Sequence, residues 1–356
     1  MTFDPFRNIV TLAGLQTLDT EATDDTVTNS VAPNTAQPAL GGGTPPTVDT
    51  ATLVEPDPDR DTGEGNLGLG KDLGMKVFTS ALFNGAPSMH EPIQGFLGNC
   101  PLAAVLCAMA HVPAQRQRLR NDILKEVALP VESNRQRKGY EYFSANRPSP
   151  LPMASPSGPF KSDRLIFVRF QRTFAAQSLS TDPSEAAQLR QRLNAPASVP
   201  VTGVLFVDLR FNVIHYMRGS GGALWPSLIE KAYAVGRGQN TYQGLEATVG
   251  LAEAMRDMTG FAEEEHLVNG PGDTLPEITT KRLNTWLSQH DNRPIILGSP
   301  PNAPLVTGNH TFAVIGKTKT TVTVIDALES TPTAREVVVP LAEIRDNFHE
   351  IVRGPG

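Results

Sequence analysis

The chain has 356 residues, enough for two domains or for one domain with tails, and 39% of them are hydrophobic, which allows a real core. A formal net charge of −6 sets up no basic field and argues against a nucleic-acid partner. No apolar run reaches the ~20 residues of a membrane span, and the start Met1-Thr2-Phe3-Asp4 lacks a basic region followed by an apolar core, so no Sec-type signal peptide is expected.

From about Gln16 to Gly70 the chain is rich in Thr, Asp, Pro and Gly and contains no aromatic residue. Such a segment buries too little apolar area to offset its ordering entropy, so residues 1–70 read as a disordered leader or linker. A globular region begins near Lys71. Within it, Gln94-Gly95-Phe96-Leu97-Gly98-Asn99-Cys100 precedes an apolar run, Pro101 to Ala110, with helical character. Proline fits the first turn of a helix, where its missing N–H costs nothing. Cys100 is then expected at a helix N-terminus, where unpaired N–H groups and the helix dipole favour the nucleophilic thiolate. Gln94, folded back over the glycine-bearing loop, is a candidate donor to the oxyanion on a carbonyl that Cys100 attacks. The second cysteine, Cys107, lies about 10 Å further along the same helix at 1.5 Å per residue, too far for a disulfide. Two free thiols fit a reducing compartment, so a cytoplasmic location is expected, with export by a route that reads no Sec signal left open.

Gln115 to Lys125 reads as a polar, basic helix surface, and Arg147 to Pro159 as a loop. Ile166 to Phe170 reads as a strand, Pro183 to Asn194 as a helix capped at Thr181-Asp182, and Val204–Val207 with Val213–Met217 as a strand pair. Leu224 to Ala234 has apolar residues at 224, 225, 228, 229, 232 and 233, the spacing of a core-packing helix face. Leu251–Met258 and Leu275–His290 are two further helices. The chain then turns to short β-rich runs: Pro294–Leu297, Thr311–Ile315, Thr321–Ile325 and Glu336–Val339. A mostly helical half, 71–262, followed by a β-rich half, 263–356, predicts an α+β enzyme with a cleft between two lobes.

Of seven histidines, His310 is the preferred base, because it opens the strand Thr311–Ile315 and has a glycine nearby. Asp326 follows sixteen positions later, at the end of the next strand. Antiparallel pairing of the two strands brings the start of one beside the end of the other. A carboxylate there fixes the imidazole tautomer and stabilises the imidazolium, completing a nucleophile–base–orienter set.

These blocks resemble a known family. Gln94 to Cys100 is similar to the Q-G-x-x-G-[DN]-C signature of calpain-type, papain-like cysteine proteases. Leu224 to Ala234 resembles that family's L-W-P-x-L-x-E-K-A-Y-A helix, Tyr242 to Gly260 the segment that follows it, and Gly308 to Asp326 the strand pair that carries the catalytic histidine. The resemblance covers Gln94 to Asp326 in the family's order. It implies a papain-like two-lobed fold and a cysteine endopeptidase, with Cys100 as nucleophile, His310 as general base, Gln94 as oxyanion donor and Asp326 at the orienting Asn position. The chain departs from the pattern at Pro101, where the family has an aromatic residue, and at Asn309, which separates Gly308 from His310. Ala327-Leu328 replaces the Pro-Trp that shields the His–Asn bond, and Glu246-Ala247-Thr248 stands where paired glycines bind extended peptide. A glutamine-directed transglutaminase or deamidase on the same fold is the alternative, and a non-catalytic calpain-like binding module is a third reading. The expected partner is a protein or peptide substrate. No cofactor or metal is read from the sequence, calcium included, and oligomeric state carries no sequence signal.

Overall fold

The computed structural model describes residue 56 and residues 73–78, 80–128, 164–172, 174, 197–208, 210–238, 241–246, 249–268 and 277–356. The chain divides into two units, Met1–Thr47 and Val48–Gly356, and every described residue lies in the second. The leader read over residues 1–70, apart from residue 56, the loop 147–159 and the helix 183–194 lie outside the described residues.

Helices and strands are mixed, as α+β requires. The strands are β1 (Leu73–Val77), β2 (Pro92–Ile93), β3 (Leu124–Ala128), β4 (Arg164–Phe170), β5 (Ala197–Thr202), β6 (Val204–Asp208), β7 (Val213–Ile214) and β8 (Arg218–Gly219), then β9 (Glu263–His266), β10 (Ile295–Gly298), β11 (Thr311–Lys317), β12 (Thr321–Asp326), β13 (Glu336–Pro340) and β14 (Glu350–Arg353). The principal helices are α1 (Cys100–His111), α2 (Pro113–Arg118), α3 (Trp225–Gly236), α4 (Leu251–Thr259) and α5 (Thr280–Leu287).

The largest sheet is antiparallel, in the order β13-β12-β11-β10-β14-β9. Its two faces enter different cores, as the two-residue period of a strand demands. Along β11, Phe312 and Val314 pack with α5 residues Leu283, Trp286 and Leu287, while Ala313 and Ile315 pack with α1. Strand β10 repeats the alternation: Ile295 and Leu297 face the α5 side and Ile296 the α1 side.

Helix α1 is buried from Pro101 to Ala110. It is apolar all round, the pattern of a central helix, and it lies against β10, β11 and α4. Its end is dictated locally. Pro113 biases Val112 to the extended conformation (φ −75°, ψ 121°), which stops the helix at His111. The guanidinium of Arg116 then donates to the carbonyls of Ala110 (2.7 Å) and His111 (3.0 Å), satisfying acceptors that the last turn leaves orphaned.

Helix α3 is more buried than its apolar stripe predicts: Trp225 to Ala234 are all inside, Glu230 and Lys231 included. Lys231 Nζ donates to the carbonyls of Thr202 (3.1 Å) and Val204 (2.6 Å), capping the turn between β5 and β6. The expected helix over Gln115–Lys125 is shorter than its polarity suggested. α2 ends at Arg118, a wide helical turn follows over Leu119–Ile123, and Leu124 and Lys125 open β3, paired with β4. Tertiary pairing of this apolar-flanked segment overrides its helical composition. The strand expected over Val213–Met217 is confined to Val213–Ile214, and the helix expected from Leu275 starts at Thr280, where Thr279 Oγ1 accepts from Arg282 N. Among the described residues, no helix is long and apolar enough to cross a membrane.

Candidate active site

The site is assembled from three pieces: the loop 94–99 leading into α1, the turn before β11, and the end of β12. The first loop is pinned at both ends. Gln94 N donates to Ala327 O (2.7 Å) and Phe96 N to His215 O (3.3 Å). Gly95 lies so close to the next segment that a Cβ there would sit 2.3 Å from the Tyr216 carbonyl, so only glycine fits. Gly98 N donates to Glu246 Oε1 (3.1 Å). Asn99 is fully buried, and its side chain turns away from the helix it precedes. Its Nδ2 donates to Glu230 Oε1 (2.7 Å), whose other oxygen accepts from Met217 N (2.7 Å). The Asn99 carbonyl meanwhile accepts from Leu102 N (3.0 Å), which starts the helix and presents Cys100 in its first turn.

His310 is positioned through its backbone. Its N–H donates to Ser299 Oγ (3.0 Å), and its carbonyl accepts from Ser299 N (2.9 Å), at the end of β10. Asn309 adopts φ +52°, a left-handed conformation asparagine tolerates, and this turns the chain into β11. The register Phe312↔Asp326 brings β12's last residue alongside, and His310 Nε2 lies 2.8 Å from Asp326 Oδ1. Asp326 also accepts from Leu328 N on Oδ1 (2.8 Å) and from Thr307 Oγ1 on Oδ2 (3.1 Å). With Nε2 held by the carboxylate, Nδ1 is the ring nitrogen left for the thiol. Thr311 Oγ1, on the α1-facing side of β11, donates to Cys100 Sγ at 3.5 Å. Cys100 is partly exposed, while His310 and Asp326 are buried.

The electrostatics follow from this packing. Burial pushes the Cys100 thiol up, but the hydrogen bond and positive charge of His310, with a smaller contribution from Thr311, bring it below its ordinary value. Burial disfavours the His310 imidazolium, but hydrogen bonds and negative charge from Asp326 and Cys100 override it and raise His310 to about 10. Burial raises Asp326 too, and His310 more than offsets that, so its carboxylate stays ionised below the usual range. The arrangement supports a thiolate–imidazolium pair. Cys107 contrasts with this: burial drives its thiol up to about 11 despite the nearby Arg335.

All four residues singled out from the sequence can be located. Cys100, His310 and Asp326 come together directly. Gln94 is buried, its backbone is bonded to the residue after Asp326, and its Nε2 donates to Leu97 O (2.6 Å), which occupies one of the two amide hydrogens. The other candidate histidine in this neighbourhood, His215, stacks on Phe96 (4.7 Å, 14°), and burial lowers it to about 4, so it is neutral.

Sequence reasoning missed the supporting set. Glu230 holds Asn99. Thr307 touches Asp326 and Thr311 touches Cys100, the two ends of the Cys100–His310–Asp326 set. Buried Arg335 donates from Nε to the Asp326 carbonyl (3.2 Å) and from its other nitrogens to the carbonyls of His90 and Pro92, joining β12's end to the strand before Gln94. The one readable signal was the charged pair Glu230-Lys231 inside an otherwise apolar helical run. Compared with models of known families and with curated proteins, the chain matches none.

Proposed function

We propose that this chain is a papain-like, two-lobed cysteine endopeptidase of calpain type that cleaves protein or peptide substrates. The observation that carries the reading is the meeting of Cys100, His310 and Asp326 from three separate elements, with a charge-favouring hydrogen bond at each junction. In the reaction, the Cys100 thiolate attacks the scissile carbonyl carbon and forms a tetrahedral oxyanion. The Cys100 backbone N–H and the Gln94 amide stabilise that charge. The C–N bond breaks as His310 gives its proton to the leaving amine, leaving a thioester. Water then loses a proton to His310 and attacks the thioester, the acid product departs, and the thiolate–imidazolium pair is restored. Asp326 holds the ring in the tautomer that makes both transfers possible. Free Cys100 and Cys107 fit a reducing, cytoplasmic setting.

The test is incubation of the protein with a cell-derived protein mixture, followed by sequencing of new N-termini, with Cys100→Ala as control. Termini that appear with the parent and not with the variant support proteolysis. Modified glutamine side chains without new termini would replace this reading with a glutamine-directed transferase or deamidase.

A further inference from the structure

The helix that presents Cys100 ends in a second cluster of chemically capable side chains, about 16 Å away at 1.5 Å per residue. His111, the last residue of α1, points Nε2 at His290 Nδ1 (3.2 Å) and at Asp291 Oδ1 (3.2 Å), and His290 Nδ1 lies 3.1 Å from the same carboxylate oxygen. The three atoms form a nearly equilateral triangle. Ligands of a tetrahedral zinc ion at bonds near 2.0–2.1 Å stand about 3.3 Å apart, so the triangle has the dimensions of three corners of such a site.

The proton count points the same way. His111 Nδ1 faces the Met89 thioether at 3.2 Å. Each imidazole can place either an N–H or a lone pair on the triangle, and no choice satisfies all three edges. One proton leaves two lone pairs facing each other across an edge, two protons leave two donors facing across the His111–His290 edge, and a bound cation removes both conflicts. The Met89 contact holds the His111 ring by the nitrogen that faces away from the triangle, as the outer partners of metal-bound histidines do. The nearby cation, Arg116, is committed to the Ala110 and His111 carbonyls. Both imidazoles are largely buried while the Asp291 side chain is 69% exposed, so an ion has access and a water can complete its coordination.

We infer that His111, His290 and Asp291 form a binding site for a divalent transition-metal ion of the zinc class. The ion clips the C-terminal end of α1 to the turn after α5. That turn is firm: Gln289 N donates to Trp286 O (2.9 Å), Asn292 N to Gln289 O (2.8 Å), and Arg353 Nη1 to Gln289 Oε1 (2.5 Å). The nucleophile helix is thereby fastened to the β-rich half at both ends, by Thr311 at Cys100 and by the ion at His111.

The test uses the full chain carrying Cys100→Ser, which removes the thiol as a competing ligand. Co²⁺ is titrated by visible absorption and Zn²⁺ by calorimetry and by displacement of Co²⁺. Expected are one ion per chain, tetrahedral-type cobalt bands, a rise in melting temperature with Zn²⁺, and at least a tenfold loss of affinity in both His290→Ala and Asp291→Asn. Metal-free melting of each variant checks folding. Should His290→Ala fail to fold, the exposed Asp291→Asn decides alone. Absence of saturable one-to-one binding, or affinity unchanged in the folded variants, overturns the inference and leaves the protease reading untouched.

Discussion

Replacing Asp326 separates the geometry of the orienting group from its charge. The carboxylate accepts three hydrogen bonds, from His310 Nε2, Leu328 N and Thr307 Oγ1. In Asp326→Asn the amide oxygen keeps the first two, and the amide nitrogen donates to the Thr307 hydroxyl, which also accepts. Every bond survives and only the charge opposite the imidazolium is lost. A charge-assisted bond exceeds a neutral one by about 1–1.5 kcal/mol, so turnover should fall by about tenfold or less. Asp326→Ala instead leaves a buried imidazolium without its partner. That costs about 3–5 kcal/mol, and turnover should fall by about 10²–10⁴. Alkylation of Cys100 by iodoacetamide, followed against pH, reads the pair without needing a substrate, and cleavage of labelled casein reads turnover. His310 has a raised pKa, so its imidazolium is present at low and neutral pH and lost as pH rises through about 10. Cys100 has a lowered pKa, so its thiolate is lost only as pH falls below the ordinary thiol range. The parent should therefore cleave substrate on a broad plateau between those limits, while alkylation, which needs only the thiolate, falls at the acid limit alone. In Asp326→Asn the basic limit should move down, because one contribution that raises His310 is weakened. An Asn variant as impaired as Ala would refute the argument that bond geometry dominates. Full activity of both would remove Asp326 from the site.

Cys100→Ala should abolish cleavage with little change in melting temperature. Cys107→Ala should retain it at a cost of about 1 kcal/mol of stability, the order of one buried methylene-sized group, and native alkylation mapped by mass spectrometry should fall on Cys100 alone, because Cys107 is buried with its thiol held protonated. Gln94→Ala should lower turnover by about 10²–10³, the effect of losing one oxyanion donor, while Cys100 alkylation stays within a few-fold of the parent; unchanged turnover would make Gln94 a loop residue only. Glu230→Ala strips the acceptor from buried Asn99 Nδ2 and Met217 N, and at about 1–3 kcal/mol for each unsatisfied group it should destabilise the protein by about 2–6 kcal/mol in urea titration.

What the sequence determined by itself is local or periodic. Pro101 and the alanine-rich run after it specify a helix beginning at Cys100, and the alternation through Thr311–Ile315 specifies a strand with two buried faces. The hairpin of β11 and β12 follows from adjacency in the chain, which is why Asp326 could be set beside His310 from spacing alone. The tertiary structure decided the rest. Nothing local puts Glu230 under Asn99, 131 residues away, or sends Arg335 to the strand before Gln94, 243 residues away at Pro92. Lys125 belongs to β3 because β4 offers its edge, a partner that composition does not reveal. His111 and His290 meet across 179 residues only because α1 and the turn after α5 pack together. Propensity and periodicity act over a few residues, whereas buried polar groups must find partners wherever the packed core brings them.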